Sequence, residues 1–426
     1  MSKIKKKIGI IGLGYVGLPF LHLLSQKKND VYGFDLDISK INSLKKNRSY
    51  ISDLKNKDLK IINKNKIFSM KNISQINQMD YIILCLPTPL TSKNEPDLSN
   101  ILKAFDSIKP YLKKNQTIIL ESTVYPGATR FLFQKYLEKN FKLGKNFFYG
   151  YSSERISPGQ INKKEYKYFL YNTTKVVSGY DKNSLIKISN LYKGVFQNIY
   201  SAQSLEIAEM SKLVENSYRS VNIGLVNEIK KICFSLKINF NKVLDAAATK
   251  PFGFNLFKPG PGVGGHCIPI DPIFVTWVAK KNKQRANFIE LARNINIKIT
   301  KWIIKEICKV NKKANNKNHK LKILIVGLAY KADVNDLRES PSLKIFKYFK
   351  NYNNKIDFYD PLVKKAKIGN EYHYSKKLNK NFKYDFSIIC TDHSNLNKKI
   401  ILSVSEKIFD TRGVFKNLNL KKILQL

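Results

Sequence analysis

A chain of 426 residues with 43% apolar content can bury several cores, which predicts about three domains. Its 76 lysines and arginines against 32 aspartates and glutamates give a formal charge of +44, but the lysines run through the whole chain and no nucleic-acid module is visible, so no nucleic-acid partner is expected; the field would rather attract a polyanionic small substrate. No run reaches the roughly 18 apolar residues of a membrane helix, and Cys85, Cys233, Cys267, Cys308 and Cys390 lack pairing or ligand spacing, so the expectation is a soluble, cytoplasmic protein with no membrane partner, no disulfide and no metal site.

In chain order, Lys7 to Ile11 is a short apolar strand that runs into Gly12-Leu13-Gly14-Tyr15-Val16-Gly17 and then into the helical pattern Leu18 to Leu24. GxGxxG alone is weak, but this copy has the strand before it, the helix after it and Asp35 closing a second strand, VYGFD. Gly12 makes the turn, Gly14 lets a pyrophosphate approach the helix N-terminus, and Gly17 lets the helix pack on the strand. A carboxylate at Asp35 would accept from both ribose hydroxyls and repel a 2′-phosphate, so NAD is expected over NADP. Tyr81 to Leu86 and Thr117 to Leu120 are further strands, and Thr88 and Thr123 follow them at the edge where a parallel sheet gathers ligands; threonine is also common there through β-propensity. Phe147 to Tyr151 predicts a strand entering the polar turn that holds Glu154, Arg155 and Ile156, which reads equally as surface or site.

Ser201 to Leu236 predicts one long helix of about 50 Å, able to cross between domains or carry a subunit interface. Glu209, Lys212, Asn216 and Arg219 share one of its faces. Such a stripe is either a helix's wet side or, if it looks into a cleft, a place where Lys212 could stabilise a thiolate or an oxyanion. The loop GPGVGGHCIPID, Gly260 to Asp271, then sets Cys267 among glycines that can take φ > 0 and lie close to a ligand. A lone cysteine can equally be a small buried hydrophobe. Helices are expected from Asp271 to Lys281 and from Phe288 to Val310, and a linker at Asn311 to Lys320.

Lys322 to Val326 is again an apolar strand, followed by Gly327-Leu328-Ala329-Tyr330-Lys331 and, after a charged loop, by Ser340-Pro341, a helix start with Lys331 and Arg338 beside it that makes an anion site plausible. Strands at Ile356 to Tyr359, Phe386 to Cys390 and Ile408 to Phe409 complete a second α/β unit. The expected fold is therefore α/β, with two Rossmann-like doubly wound domains (1–200 and 318–426) joined by a central helical domain (201–311) that holds the long helix and the cysteine loop. One dinucleotide domain, one helical spacer and one further anion-binding domain suggest a dehydrogenase whose substrate is itself a nucleotide.

GLGYVG at 12–17, ESTVYPGAT at 121–129, SSERISPG at 152–159, AEMSKLVEN at 208–216, TKPFGF with GPGVGGHCIPIDP at 249–272 and GLAYKADVNDLRESPS at 327–342 together resemble the UDP-glucose/UDP-mannuronate 6-dehydrogenase family along essentially the whole chain. His266 before Cys267 and Ile270 before Asp271 resemble the branch acting on UDP-N-acetylhexosamines, most closely the UDP-N-acetylglucosamine 6-dehydrogenases. The resemblance implies four-electron oxidation of a sugar C6 alcohol to a carboxylate, with two NAD reduced, for surface-polysaccharide precursors. It implies that Lys212, or a water held by Asn216 and Asp271, takes the hydroxyl proton; that Cys267 forms a thioester while Lys212 stabilises the oxyanion; and that Glu154 or Asp271, with Thr123, activates the hydrolytic water. By the same resemblance Gly12, Gly14, Tyr15, Val16, Gly17, Asp35, Lys40, Thr88, Thr123 and Arg338 would contact NAD. Arg155, Ile156, Lys212, Asn216, Arg219, Phe257, Gly264, Tyr330 and Lys331 would contact the UDP-sugar, the last domain would bind UDP, and a homodimer or higher homo-oligomer would form through the central helix.

Three rival readings stand beside this one: the same chemistry on UDP-N-acetylmannosamine or UDP-glucose, a hydroxyacid dehydrogenase that would need neither Cys267 nor a second nucleotide domain, and a non-enzymatic NAD-binding sensor.

Overall fold

The protein is described by a computed structural model covering residues 5–155 and 171–426; Ile156 and the rest of its motif through Gly159 lie outside the described residues. Strand β1 (Lys7–Ile11) is buried from Ile8 onward and leaves the sheet through Gly12, whose φ of 92° favours glycine. The chain continues through α1 (Gly17–Gln26), β2 (Asp30–Asp35), α2 (Ile38–Lys45) and β3 (Ile67–Ser69) on one side of β1. It then crosses to β4 (Tyr81–Leu84), α3 (Ser99–Ile108), β5 (Thr117–Leu120), α4 (Ala128–Leu137), β6 (Phe148–Ser152), β7 (Lys175–Gly179), α5 (Lys182–Lys193) and β8 (Ile199–Ser201) on the other. The resulting order is β3-β2-β1-β4-β5-β6-β7-β8, parallel except for the antiparallel β6–β7 pair. Its switch point lies between β1 and β4, where Ile11 stands beside Leu84. Both faces are covered, Ile8, Ile10, Ile83 and Ile119 by α1 and α5, and Ile82, Leu84, Ile118 and Leu120 by α3 and α4, which is why these strands read as unbroken apolar runs.

Four helices follow: α6 (Leu205–Ser235), α7 (Phe240–Ala247), α8 (Cys267–Lys281) and α9 (Asn287–Val310). The 31 residues of α6 correspond to about 46 Å. Ile207, Met210, Val214, Tyr218, Leu225 and Ile232 recur along one of its faces and are all exposed, an apolar stripe that water does not favour.

A second sheet comprises β9 (Lys322–Val326), β10 (Lys355–Tyr359), β13 (Tyr384–Ile389), β14 (Ser405–Asp410) and β15 (Ile423–Gln425), all parallel in the order β10-β9-β13-β14-β15; a hairpin, β11 (Lys365–Ile368) and β12 (Glu371–Tyr374), stands apart. Helix α10 (Pro341–Lys350) starts as its sequence predicts, with the Ser340 side chain accepting from Ser342 N and proline at the first position. Helix α11 (Lys398–Val404) precedes β14. In residues 311–320 a 3-10 turn at Lys312–Asn315 buries Ala314 in the core around β9.

The chain divides into two compact units, Met1–Glu215 with Ile273–Gln284, and Asn216–Pro272 with Arg285–Leu426. Among the described residues no helix is long and apolar enough to cross a membrane.

Candidate active site

In the first unit the glycine turn matches the demands of a bound dinucleotide. A side-chain carbon on Gly12 would run into the carbonyl of Cys85, and one on Gly17 into the carbonyl of Gly12, so these glycines close the turn and seat α1. Gly14 is different: nothing lies within 4 Å of the position its Cβ would take, which leaves open space beside the start of α1. Asp35, at the end of β2, is buried; its Oδ2 accepts from Leu13 N at 2.8 Å and faces Lys40 Nζ at 3.3 Å, while Oδ1 accepts from Asp37 N at 2.8 Å. Lys40 thus pairs with Asp35, and Tyr50 donates to Leu13 O beneath the turn. Tyr15 and Val16 are half-buried on the same turn. These residues fit NAD.

Thr88 and Thr123 come together: Thr88 Oγ1 donates to Thr123 O at 2.7 Å, at the carboxyl edge of β4 and β5. Glu154 and Arg155 follow β6 and are half-buried; Arg155 pairs with Glu215 and donates to Thr174 O at 2.8 Å. The charged stripe on α6 is not a wet face. Glu209, Lys212 and Asn216 are buried, and of the four residues only Arg219 is exposed. Glu209 caps α4, accepting from Gly127 N at 2.6 Å and Thr129 N at 2.8 Å, and burial pushes its carboxyl up to about 7 against those bonds.

In the second unit the glycine loop ends earlier than the sequence suggests. Helix α8 starts at Cys267, not near Asp271, so the thiol opens a helix, where the amide groups and the dipole favour negative charge. The proline at 269 made this stretch read as loop, but a first turn tolerates proline because its amides have no partner there. Asp271, four residues on, lies one turn along the same face; it is buried and accepts from Asn216 Nδ2 at 2.5 Å. Cys267 is exposed, and the other four cysteines are buried.

The Tyr330 ring lies against the loop. A Cβ on Gly264 would come within 2.6 Å of the Tyr330 Cβ and one on Gly265 within 2.7 Å of its ring, so both glycines let the tyrosine approach. Burial, with Asp336 and Cys267 nearby, raises the Tyr330 phenol, which stays a neutral donor. Burial and the Arg338 charge, opposed by Asp336, lower His266, leaving a neutral imidazole at neutral pH. Arg338 is held by Asp336 through Nε and Nη2. Phe257 meets the Tyr218 ring edge-on at 5.7 Å, and Lys331 is half-buried next to Tyr330.

A polar cavity of about 320 Å³ at the carboxyl ends of β13 and β14 is lined by Lys258, Asp392, His393, Lys398, Arg412 and Lys416, among others. Sequence reasoning passed over Lys258 and Arg412. The available signal was Asp410-Thr411-Arg412-Gly413 directly after a buried strand: Arg412 donates to Cys390 O at 2.8 Å and packs under Gly260.

Residues 6–196 match the NAD binding domain of the UDP-glucose/GDP-mannose dehydrogenase family, residues 206–298 its central domain and residues 324–417 its UDP binding domain. Over 408 residues the chain is 34% identical to a UDP-N-acetyl-D-mannosamine dehydrogenase of Methanococcus aeolicus, covering 94% of this chain and 88% of that one. It is 33% identical to a UDP-N-acetyl-D-glucosamine 6-dehydrogenase of Pseudomonas aeruginosa over 369 residues, 86% and 85% of the two chains. The solved structure of a UDP-D-ManNAc dehydrogenase from Pyrococcus horikoshii superposes with a TM-score of 0.84 at 26% identity, over 97% of each chain. The cofactor is accordingly NAD, and the chain belongs to the UDP-glucose/GDP-mannose dehydrogenase family.

Proposed function

We propose that the protein oxidises the C6 alcohol of a UDP-N-acetylhexosamine to the uronic acid in two two-electron steps, supplying a precursor for surface polysaccharide. The observation that carries this reading is Cys267, exposed at the head of a 15-residue helix with the buried Asn216–Asp271 pair one turn away. A simple alcohol dehydrogenase needs no such thiol. NAD, when bound, accepts the hydride of each step. Gly12, Gly14, Tyr15, Val16, Gly17, Asp35, Lys40, Thr88, Thr123 and Arg338 hold it.

Lys212, or a water on Asn216 and Asp271, takes the C6 hydroxyl proton in the first step. The Cys267 thiolate adds to the aldehyde carbon, Lys212 stabilises the oxyanion, and loss of the second hydride leaves a thioester. Glu154 or Asp271, with Thr123, activates the water that cleaves it, releasing the acid and the thiol. Arg155, Ile156, Arg219, Phe257, Gly264, Tyr330 and Lys331 bind the UDP-sugar, and the cavity of Lys258 and Arg412 suits its phosphates. UDP-N-acetylglucosamine is favoured by the motif resemblance; UDP-N-acetylmannosamine is the second reading, on a relative of nearly equal identity. The exposed stripe of α6 is the face through which two copies would pair.

Purified protein offered a panel of UDP-sugars should release two NADH per sugar acid with one N-acetylhexosamine preferred. One NADH per product, or a flat trace with every sugar, overturns the reading.

A further inference from the structure

Beneath the carboxyl edge of the first sheet lies a charge cluster that the proposed chemistry does not use. Leu84 stands beside Leu120, and Leu120 beside Tyr151, so the next residues, Cys85, Glu121 and Ser152, form a row across three strands. Lys175 reaches Glu121 from β7, Nζ to Oε2 2.6 Å, with both side chains sealed from solvent. Tyr192 also donates to Glu121, and the Lys175 ammonium sits among the rings of Phe20, Tyr192 and Phe196 at 5.5–5.8 Å. An ion pair this deep is weak evidence for stability, because an apolar pair of the same volume would do as well. It calls for another reason.

The register supplies one. β6 and β7 pair Gly150 with Gly179, Tyr151 with Ser178 and Ser152 with Val177, and Ser153 N continues the ladder to Val176 O at 3.3 Å. The next opposed positions are Glu154 and Lys175, a cross-strand pair on the face that also carries Ser152. Glu154 points to the same side as the ion pair: Cys85 is pushed up by burial, then by the charges of Glu121 and Glu154, and is pulled down by Lys175. The titratable groups that share this face with Glu154 are thus Cys85 after β4, Glu121 after β5, Lys175 on β7 and, through its bond to Glu121, Tyr192 on α5; the next residue, Arg155, pairs with Glu215.

We propose that Lys175 is the shared counter-ion of Glu121 and Glu154, a positioning residue that keeps Glu154 a carboxylate opposite a second buried acid. Its value to thioester hydrolysis rests on the reaction proposed above, in which Glu154 is a base for the attacking water. The counter-ion role itself does not.

The test uses the full chain with ¹³C-labelled glutamate, the Glu154 carboxyl resonance being the one lost in Glu154→Gln. Lys175→Met should raise its titration midpoint by about one pH unit or more, since two acids then share the face without a cation. Lys175→Met with Glu121→Gln should bring the midpoint back, and Lys175→Arg should leave it in place. Should Lys175→Met alone fail to fold, Glu121→Gln alone decides the matter, because it leaves Lys175 to Glu154 and should lower the midpoint. An unmoved midpoint, or a shift that persists in the double variant, overturns the proposal. In turnover, Lys175→Met should move the acidic limb of the rate profile upward by the same amount and accumulate the acyl adduct on Cys267. Absence of turnover by the unmodified protein would sink the reaction, while the carboxyl titration would still judge Lys175.

Discussion

Both sheets begin with an apolar strand that stops at a left-handed glycine, Gly12 with φ 92° in one and Gly327 with φ 81° in the other, and in both the next amide donates to an aspartate at the carboxyl end of the neighbouring strand, Asp35 or Asp360. Beyond that point they part. In the first sheet the third residue is Gly14 with empty space over it, and Asp35 binds two amides and Lys40 at its rim. In the second the third residue is Ala329, whose own amide is drawn to Asp360; that carboxylate also accepts from Leu362 N and Val363 N and pairs with His393 at 3.1 Å, both side chains fully buried. One turn has become a cradle and the other a clasp. The difference lies in a methyl group and in whether the acid has acceptor capacity left at the surface.

The comparison can be broken most decisively at the thiol. Cys267→Ser should lower acid formation by at least about 10³-fold, as loss of a covalent nucleophile does, while NAD affinity measured by calorimetry stays unchanged because the glycine turn and Asp35 belong to the other unit. A parallel fall in NAD affinity would refute that division. Next come the paired aspartates. Asp360→Asn strands several buried donors and should cost about 3 kcal/mol in urea unfolding, whereas Asp35→Asn should cost less than about 1 kcal/mol and instead raise the use of NADP relative to NAD about tenfold. Equal losses of stability would mean that the two carboxylates do one job.

Two buried acids, one in each unit, should contribute pH dependence of opposite sign. Burial would raise Asp360, but the His393 bond and the amides outweigh it and hold the carboxyl below its ordinary value. Its stabilisation is therefore present above about pH 4 and lost as the pH falls through the depressed value. Glu209, raised by burial to about 7, works the other way: its contribution is full below about pH 4.5 and declines as pH rises through 7, by roughly 3 kcal/mol. Unfolding of Glu209→Gln should lack that decline between pH 5 and 7, and an unchanged slope would show that Glu209 is ionised throughout. The smallest effect sharpens the comparison at one methyl. Gly14→Ala, which copies Ala329, should weaken NAD about tenfold with a melting temperature moved by no more than about 2 °C, because no atom of the chain occupies that space.

Much of this is legible in the amino-acid sequence. Lys7–Ile11 and Lys322–Val326 are strands at the residues expected, because an apolar run covered on both faces and closed by glycine has few other readings. The long helix also ran as expected, within a few residues at its ends. Its charged stripe could not be placed, since Glu209, Lys212 and Asn216 have the same spacing whether they face water or are buried. The start of α8 was hidden by prolines whose meaning depends on whether they fall in a first turn. The Glu121–Lys175 pair had no local signature at all: its members lie 54 residues apart on strands separated by a third. Ile156, expected at the substrate, lies outside the described residues.

Of five thiols, one opens a helix in contact with water and four are sealed. A maleimide dye should therefore attach at a single position of the folded chain, and its molar incorporation would count the competent molecules in a preparation, an active-site titration that needs no knowledge of the sugar.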